Sequence, residues 1–373
     1  MSAPALVCFI VCHGGPADHF ATFSEDLARK NYQVEIYATG PALKKLEDRK
    51  IERLHPFSLE QEGAAAELAE KCSGASVIVT DVGHPFDVDL QEALAEHASK
   101  SLRLAYYDNP ERYVPGGYSS TAAKVMLAAE KVLFANRNLA EGDLYEAPDQ
   151  KVDLPLEKRM GLGYYPIEQA ESLAKRRTAD REALRAELFA TYGLKDRQQK
   201  ILVYVGGNNE EYFSKAFPKF LELLGAASSQ TDLSDLIILF QQHPGAKGKG
   251  LDEACIESWS KEYQWRATAP PLLFSSFSSD SAQVLADAIL YFQTSMGPQF
   301  ALAGIPPIQV GHVVYEDLLV REGLCATATD TDSLIKAVHG DVKVESSDEA
   351  IRKGLGICPD WADRLEKALN DPF

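Results

Sequence analysis

The chain has 373 residues, 45% hydrophobic and 25% charged, a globular composition that excludes a disordered, collagenous or repeat-dominated protein. No apolar run approaches the roughly 18 residues that a membrane span needs. Lys and Arg total 38 against 55 Asp and Glu, a net charge of −17, which excludes broad nucleic-acid binding. Any phosphate site must therefore be made locally, from backbone N–H groups, helix N-termini and a few placed lysines.

The first apolar run, Leu6–Cys12, has no Lys or Arg before it and His13-Gly14-Gly15-Pro16 after it. It reads as a buried strand and not as a signal peptide. Further strands are expected at Val34–Thr39, Val77–Asp81, Leu102–Tyr107 and Val132–Ala135. Between them fall helical patterns at Asp18–Lys30, Pro41–Lys50, Leu59–Cys72, Val88–Lys100 and Ser119–Lys131. The first carries Phe20, Phe23 and Leu27 on one face, with Asp18 placed to cap it. Strands spaced by helices predict a parallel sheet covered on both faces.

A polar stretch, Glu146–Pro155, and the breaker-rich Met160–Pro166 lead into a charged helix at Glu168–Tyr192. Its Lys175-Arg176-Arg177 run is diluted by Glu171, Asp180 and Glu182, so it reads as a solvated hinge helix, with no membrane association indicated. The strand–helix rhythm then restarts. Strands are expected at Ile201–Val205, Leu236–Gln241, Ala288–Phe292 and Pro307–Val310, with a shorter candidate at Leu272–Phe274. Helices are expected at Glu210–Leu224, Leu251–Tyr263, Pro298–Ala303, Tyr315–Glu322 and Thr331–Val338, and a helical tail at Asp348–Leu369. The expected organisation is an α/β chain of two Rossmann-like domains, 1–160 and 196–345, facing across a cleft. A hinge at 161–195 joins them and a tail follows at 346–373.

The six cysteines, Cys8, Cys12, Cys72, Cys255, Cys325 and Cys358, are scattered, with no CxxC pair and no metal-ligand spacing. They read as reduced core thiols, and a cytoplasmic protein without a bound metal is expected.

Ligands of open parallel sheets bind outside the carboxyl ends of the strands. After the first strand, Gly14 and Gly15 permit a tight turn, and His13, Asp18 and His19 offer a general base. Asp81 and His84 follow the third strand, and Asp108 and Arg112 follow the fourth. In the second half, Gly206-Gly207-Asn208 precedes a helix start and can cradle phosphate. His243-Pro244 is followed by a loop in which Lys247 and Lys249 could neutralise a diphosphate. Between Ala286 and Val310 a buried strand runs into Thr294-Ser295-Met296-Gly297, a short helix beginning at Pro298, and a glycine stop at Gly304. Asp87-Val88-Asp89 has the form of a metal-binding Asp-x-Asp motif, but at a helix start it reads as capping and dipole compensation.

Ser295, Gly297, Ala303-Gly304 and Pro306 resemble the carboxy-terminal half of GT-B-fold glycosyltransferases and the related UDP-GlcNAc 2-epimerases. The Gly206-Gly207 turn and His243-Pro244 are also similar to superfamily features near the nucleotide. So is His13-Gly14-Gly15-Pro16, followed by a helix and Lys30-Asn31-Tyr32-Gln33-Val34. The resemblance implies a GT-B-like fold and a metal-independent glycosyltransferase that moves a sugar from a nucleotide-sugar co-substrate, UDP-linked in the superfamily members it resembles, to a small-molecule or glycan acceptor. The first domain would hold the acceptor through Asp81, His84, Asp108 and Arg112, with His13, or His19 or Asp18, as base. The second would hold the nucleotide through Gly206, Gly207, Asn208, His243, Lys247, Ser295, Gly297 and Gln299. Gln299 stands where many GT-B enzymes place a ribose-binding Glu, and an amide binds a diol without charge assistance. Two alternatives follow. One is a UDP-sugar epimerase with Asp81 and Asp108 in acid–base roles, and the other is a catalytically silent binding or scaffold protein.

Overall fold

The computed structural model describes residues 5–112, 117–142, 146–147, 150–195, 198–264, 266–312 and 316–370. The chain forms two compact units, one of Met1–Pro166 with Leu355–Phe373, the other of Ile167–Gly354. Among the described residues no helix is long and apolar enough to cross a membrane.

In the first unit, strands β1 (Leu6–Val11), β2 (Gln33–Ala38), β3 (Leu54–Pro56), β4 (Val77–Thr80), β5 (Leu102–Tyr107) and β6 (Lys131–Phe134) alternate with helices. These are α1 (Gly14–Arg29), α2 (Gly40–Asp48), α3 (Ala64–Cys72), α4 (Pro85–His97), α5 (Tyr118–Ala128) and the short α6 (Arg137–Glu141). A small antiparallel pair, β7 (Glu146–Ala147) and β8 (Gln150–Lys151), precedes β9 (Arg159–Gly161). The seven-stranded sheet runs β3-β2-β1-β4-β5-β6-β9, parallel throughout. Parallel strands covered on both faces need apolar residues at every position, and β1 shows why. Val7, Phe9 and Val11 enter one core with Phe20, Phe23 and Leu27 of α1, while Cys8 and Ile10 enter the opposite core with Leu68 and Leu90.

The second unit opens with α7 (Ile167–Thr191). Strands β10 (Lys200–Val205), β11 (Leu236–Gln241), β12 (Leu272–Phe274), β13 (Ala288–Tyr291), β14 (Pro307–Val310) and β15 (Ala326–Ala328) form a parallel sheet in the order β12-β11-β10-β13-β14-β15. The helices are α8 (Phe217–Gln230), α9 (Leu251–Trp259), α10 (Ser279–Leu285), α11 (Gly297–Leu302), α12 (Leu318–Arg321), α13 (Thr331–His339) and α14 (Asp348–Gly354). Leu202 and Tyr204 of β10 face one core, and Ile201 and Val203 face the other. In both sheets the strand order reverses beside the first strand, so each unit has a switch point where the connections diverge and a crevice opens.

Several local expectations change. Helix α1 begins at Gly14, so Asp18 lies inside it and does not cap it. The early start is possible because the N–H groups of Cys12 and His13 are already satisfied, and Pro16 in the first turn needs no partner. Asp18 instead pairs with Lys45 at 2.6 Å. Helix α8 begins at Phe217, after a wide turn over Tyr212–Ala216. The helix expected at Tyr315–Glu322 is only Leu318–Arg321, and Tyr315 lies outside the described residues. Beyond α14 the chain rejoins the first unit through α15 (Trp361–Asn370), whose Leu365, Ala368 and Leu369 share a core with Phe23 and Tyr164.

Candidate active site

At the switch point of the first sheet, the turns after β1, β4 and β5 converge. Asp81, just beyond β4, is fully buried. Its Oδ2 accepts the backbone N–H groups of Cys12 and His13, each at 3.0 Å, and lies 3.1 Å from His13 Nδ1. The imidazole, 38% exposed, is thereby anchored by one nitrogen with the other edge open. The hydrogen bond to Asp81 raises the His13 pKa, and Asp108 adds to the rise, against an opposing effect of burial. Asp108 follows β5, and burial next to Asp81 lifts its carboxyl to about 6. It reaches α1 because Gly15 has no side chain: a Cβ there would stand 2.6 Å from Asp108 Oδ2. Tyr118 of α5 donates to Asp108 Oδ1 at 3.4 Å.

His84 caps α4, with Nδ1 accepting the Phe86 N–H at 3.1 Å. Its ring centroid is 5.9 Å from that of His13. Burial, then the neighbouring His13, lower its pKa. The turns thus collect the His13 and His84 imidazoles and the Asp81 and Asp108 carboxyls, with His13 and Asp108 shifted up and His84 shifted down, the kind of spread that acid–base chemistry uses. Asp87 completes the α4 capping box through the His84 N–H at 2.9 Å, which agrees with the capping role read from its sequence position. It also lies close to Cys12, with Sγ 3.6 Å from Asp87 Oδ1.

The other first-half candidates lie elsewhere. His19 is a core residue: Nδ1 meets the Tyr106 hydroxyl at 2.7 Å, Tyr164 packs edge-on, and burial drives its pKa down to about 4. Asp18 is held by Lys45 and, at 3.9 Å, by Arg49. Arg112 is exposed two residues beyond the β5 turn that holds Asn109 and Pro110.

In the second unit the turns after β10, β11 and β13 meet at the equivalent switch point. Gly206 packs against the end of β11, where a Cβ would be 3.2 Å from the Gln241 carbonyl oxygen, and a Cβ on Gly207 would be 2.7 Å from the Tyr212 ring. The glycines therefore serve packing as well as any ligand. His243 Nδ1 accepts the Gly245 N–H at 3.0 Å, and Gly245 abuts Asn208. Asn209 reaches from the β10 turn to Gln293 of the β13 turn at 3.4 Å. Lys247 and Ser295 are exposed. Gly297 is buried against Leu319 at the start of α11. Gln299, in α11, lines a cavity with Met296 of the β13 turn, Glu168 and Arg176 of α7 and Asp280 of α10.

Sequence reasoning missed Cys12, Asp87, Asn209, Gln293 and Tyr118 as neighbours of these turns. Only Asp87 carried a signal, its place three residues after a helix-capping histidine. Two cavities of the first unit, of about 820 and 1070 Å³, lie away from these groups. The smaller, lined by Ser76, Ser101, Glu130 and Lys158, opens at the amino-terminal strand edge. It gathers no comparable set of shifted acids and bases, so the switch point is the better candidate.

No protein-family model matches the sequence, and no curated protein matches it significantly. Solved structures match across nearly the whole chain. The UDP-GlcNAc 2-epimerase of Methanocaldococcus jannaschii has a TM-score of 0.64 at 12% identity, covering 98% of this chain and 99% of that one. The UDP-GlcNAc 2-epimerase of Neisseria meningitidis, bound to UDP-GlcNAc, has a TM-score of 0.59 at 10% identity, with coverage of 98% and 99%. A glycosyltransferase of Rickettsia africae has a TM-score of 0.63 at 10% identity, with coverage of 99% and 100%. The fold is GT-B-like, with two Rossmann-like halves.

Proposed function

We propose that the chain binds a nucleotide-linked sugar and moves a proton on that sugar, an epimerase-type reaction. The observation that carries this reading is the His13–Asp81 pair with Asp108 beside the same imidazole. Asp108, its carboxyl lifted to about 6, is ionised at neutral pH yet basic enough to accept a proton. His13, held toward its protonated form by Asp81, returns one. A sugar C–H is not acidic alone. It becomes removable as a neighbouring leaving group departs, and a diphosphate is such a group; the diphosphate then adds back to the carbon it left as the proton is returned to the opposite face of the sugar. The second unit, taken by itself, carries groups suited to a nucleotide diphosphate: the Gly206-Gly207-Asn208 turn, His243, Ser295, Gly297 and Lys247. Gln299, lining a cavity against α7, is left out of this set.

The likeness to epimerases, one of them bound to UDP-GlcNAc, supports a UDP-linked sugar as the first substrate to test. Incubation with UDP-GlcNAc in deuterium oxide, without acceptor, should place deuterium on a ring carbon of the sugar. Binding of UDP-GlcNAc with no exchange would reject the reaction. The second reading, sugar transfer with Asp81, His84, Asp108 and Arg112 on the acceptor and His13 as base, is favoured by the likeness to the Rickettsia glycosyltransferase. It requires loss of the sugar only when an acceptor is present. Binding with neither outcome would leave the binding-protein alternative.

A further inference from the structure

Behind the His13–Asp81 pair lies a carboxyl that the proposed reaction does not use. Asp87 is fully buried. Its Oδ2 accepts the His84 N–H at 2.9 Å, and its Oδ1 faces Cys12 Sγ at 3.6 Å. One carboxyl oxygen of Asp87, one of Asp81 and the Cys12 sulfur all lie within 4.8 Å of one another. Asp81 commits Oδ2 to three nitrogen atoms, the backbone N of Cys12 and His13 and His13 Nδ1, yet its Oδ1 is buried without a partner. A buried, unpaired carboxylate oxygen is costly. Two ionised carboxyls side by side in a buried site are costlier still. A single proton removes both costs.

We propose that Asp87 carries this proton and donates it to Asp81 Oδ1, which makes Asp87 a positioning residue that acts on His13 through Asp81. The inference rests on the acid–base role given to His13 above. Burial and the adjacent Asp81 push the Asp87 carboxyl well above the usual carboxylate range. Burial and the same two aspartates push the Cys12 thiol up, so it stays neutral. The other titratable groups facing the pair are His13 at the start of α1, His84 at the start of α4, and Asp108 beyond β5. A neutral Asp87 leaves one negative charge, not two, in the pair that holds the imidazole, which limits the rise of the His13 pKa. A cation suits the place less well. Three of the four carboxyl oxygens already face donors, and a bound metal ion needs several free ligand atoms.

Carbon NMR of protein labelled at aspartate carboxyl carbons reads the proton directly. At about pH 7.5, above the Asp108 transition, one carboxyl should remain in its protonated form. Asp87→Asn, which keeps a neutral donor toward Asp81, should remove that signal and shift the His13 imidazole midpoint by less than about 0.3 pH unit. Were Asp87 ionised, the same substitution would delete a negative charge near His13, and the midpoint would fall by about one pH unit or more. That fall, or a wild-type spectrum with every carboxyl ionised, would overturn the proposal. So would stoichiometric metal in the purified protein that Asp87→Asn loses. A wild-type spectrum with every carboxyl ionised overturns the proposal even if the variant fails to fold, and Asp252→Asn and Asp317→Asn, which alter two other buried aspartates shifted up, should leave the protonated signal in place. None of these measurements reads turnover, so a failed exchange on UDP-GlcNAc rejects the reaction and leaves the proton's position standing.

Discussion

Asp81 Oδ2 lies 3.0 Å from the backbone nitrogen of His13 and 3.1 Å from Nδ1 of the same residue. One oxygen therefore closes the turn after β1 and fixes the imidazole that the turn presents. The two residues are 68 positions apart, and adjacent parallel strands bring them together.

Removing the imidazole should separate chemistry from binding. His13→Gln is expected to lower proton exchange on UDP-GlcNAc by about 10²–10⁴-fold, the usual worth of a positioned acid or base. Affinity for UDP, measured by calorimetry, should change little. A variant that exchanges at the wild-type rate would remove His13 from the mechanism.

The pH profile should have two limbs. Asp108 must be ionised to act as a base, so the rate should climb through about pH 6. His13 must be protonated to act as an acid, and its pKa is raised, so the rate should fall only at a pH above the ordinary histidine value. Asp108→Asn should abolish the activity on which the ascending limb depends. A profile flat across pH 5–7 would contradict the assignment of Asp108 as base.

His19 should make the fold acid-sensitive. Its folded pKa is lowered to about 4, so the stability linked to its neutral form is complete above the unfolded value and lost as pH falls through about 4. The span between the two values corresponds to about 3 kcal/mol. His19→Gln can still bond the Tyr106 hydroxyl but cannot protonate. Urea unfolding between about pH 4 and pH 7 should therefore show a shallower pH dependence for the variant. Parallel curves for the two proteins would refute this.

Gly83 should not tolerate a side chain. Its φ is +104°, and a Cβ would run into the Tyr118 ring. Gly83→Ala is expected to cost about 3 kcal/mol, from backbone strain and overlap together. Adding Tyr118→Ala should recover the overlap part, so the double variant should be less destabilised than the two single costs summed. Strict additivity in thermal or urea unfolding would mean that the two residues do not compete for space.

Lys247 and Lys249 are exposed, so each should contribute modestly to binding. The Lys247→Ala, Lys249→Ala double variant is expected to weaken UDP binding by no more than about tenfold and to flatten its salt dependence. Unchanged affinity at low salt would place the diphosphate away from this loop.

Much of the fold was legible in the sequence because its signals are local. Continuous apolar runs such as Leu6–Cys12 can be satisfied only by strands buried on both faces, and the spacing of Phe20, Phe23 and Leu27 fixes one face of a helix. Glycines at 14, 15, 206 and 207 marked the strand-end turns where polar groups gather. The sequence could not separate His13 from His19. Six positions apart, both follow the same strand, and either type of side chain can serve as a base. Burial makes that distinction: α1 turns His19 into an aromatic core and leaves His13 at the open end beside Asp81. Nor does the sequence state that β4 lies beside β1. That neighbour relation gathers one ligand atom each of Asp81, Asp87 and Cys12 within 4.8 Å of one another, where mutual repulsion and loss of water, properties of no single residue, push the Asp87 carboxyl and the Cys12 thiol up.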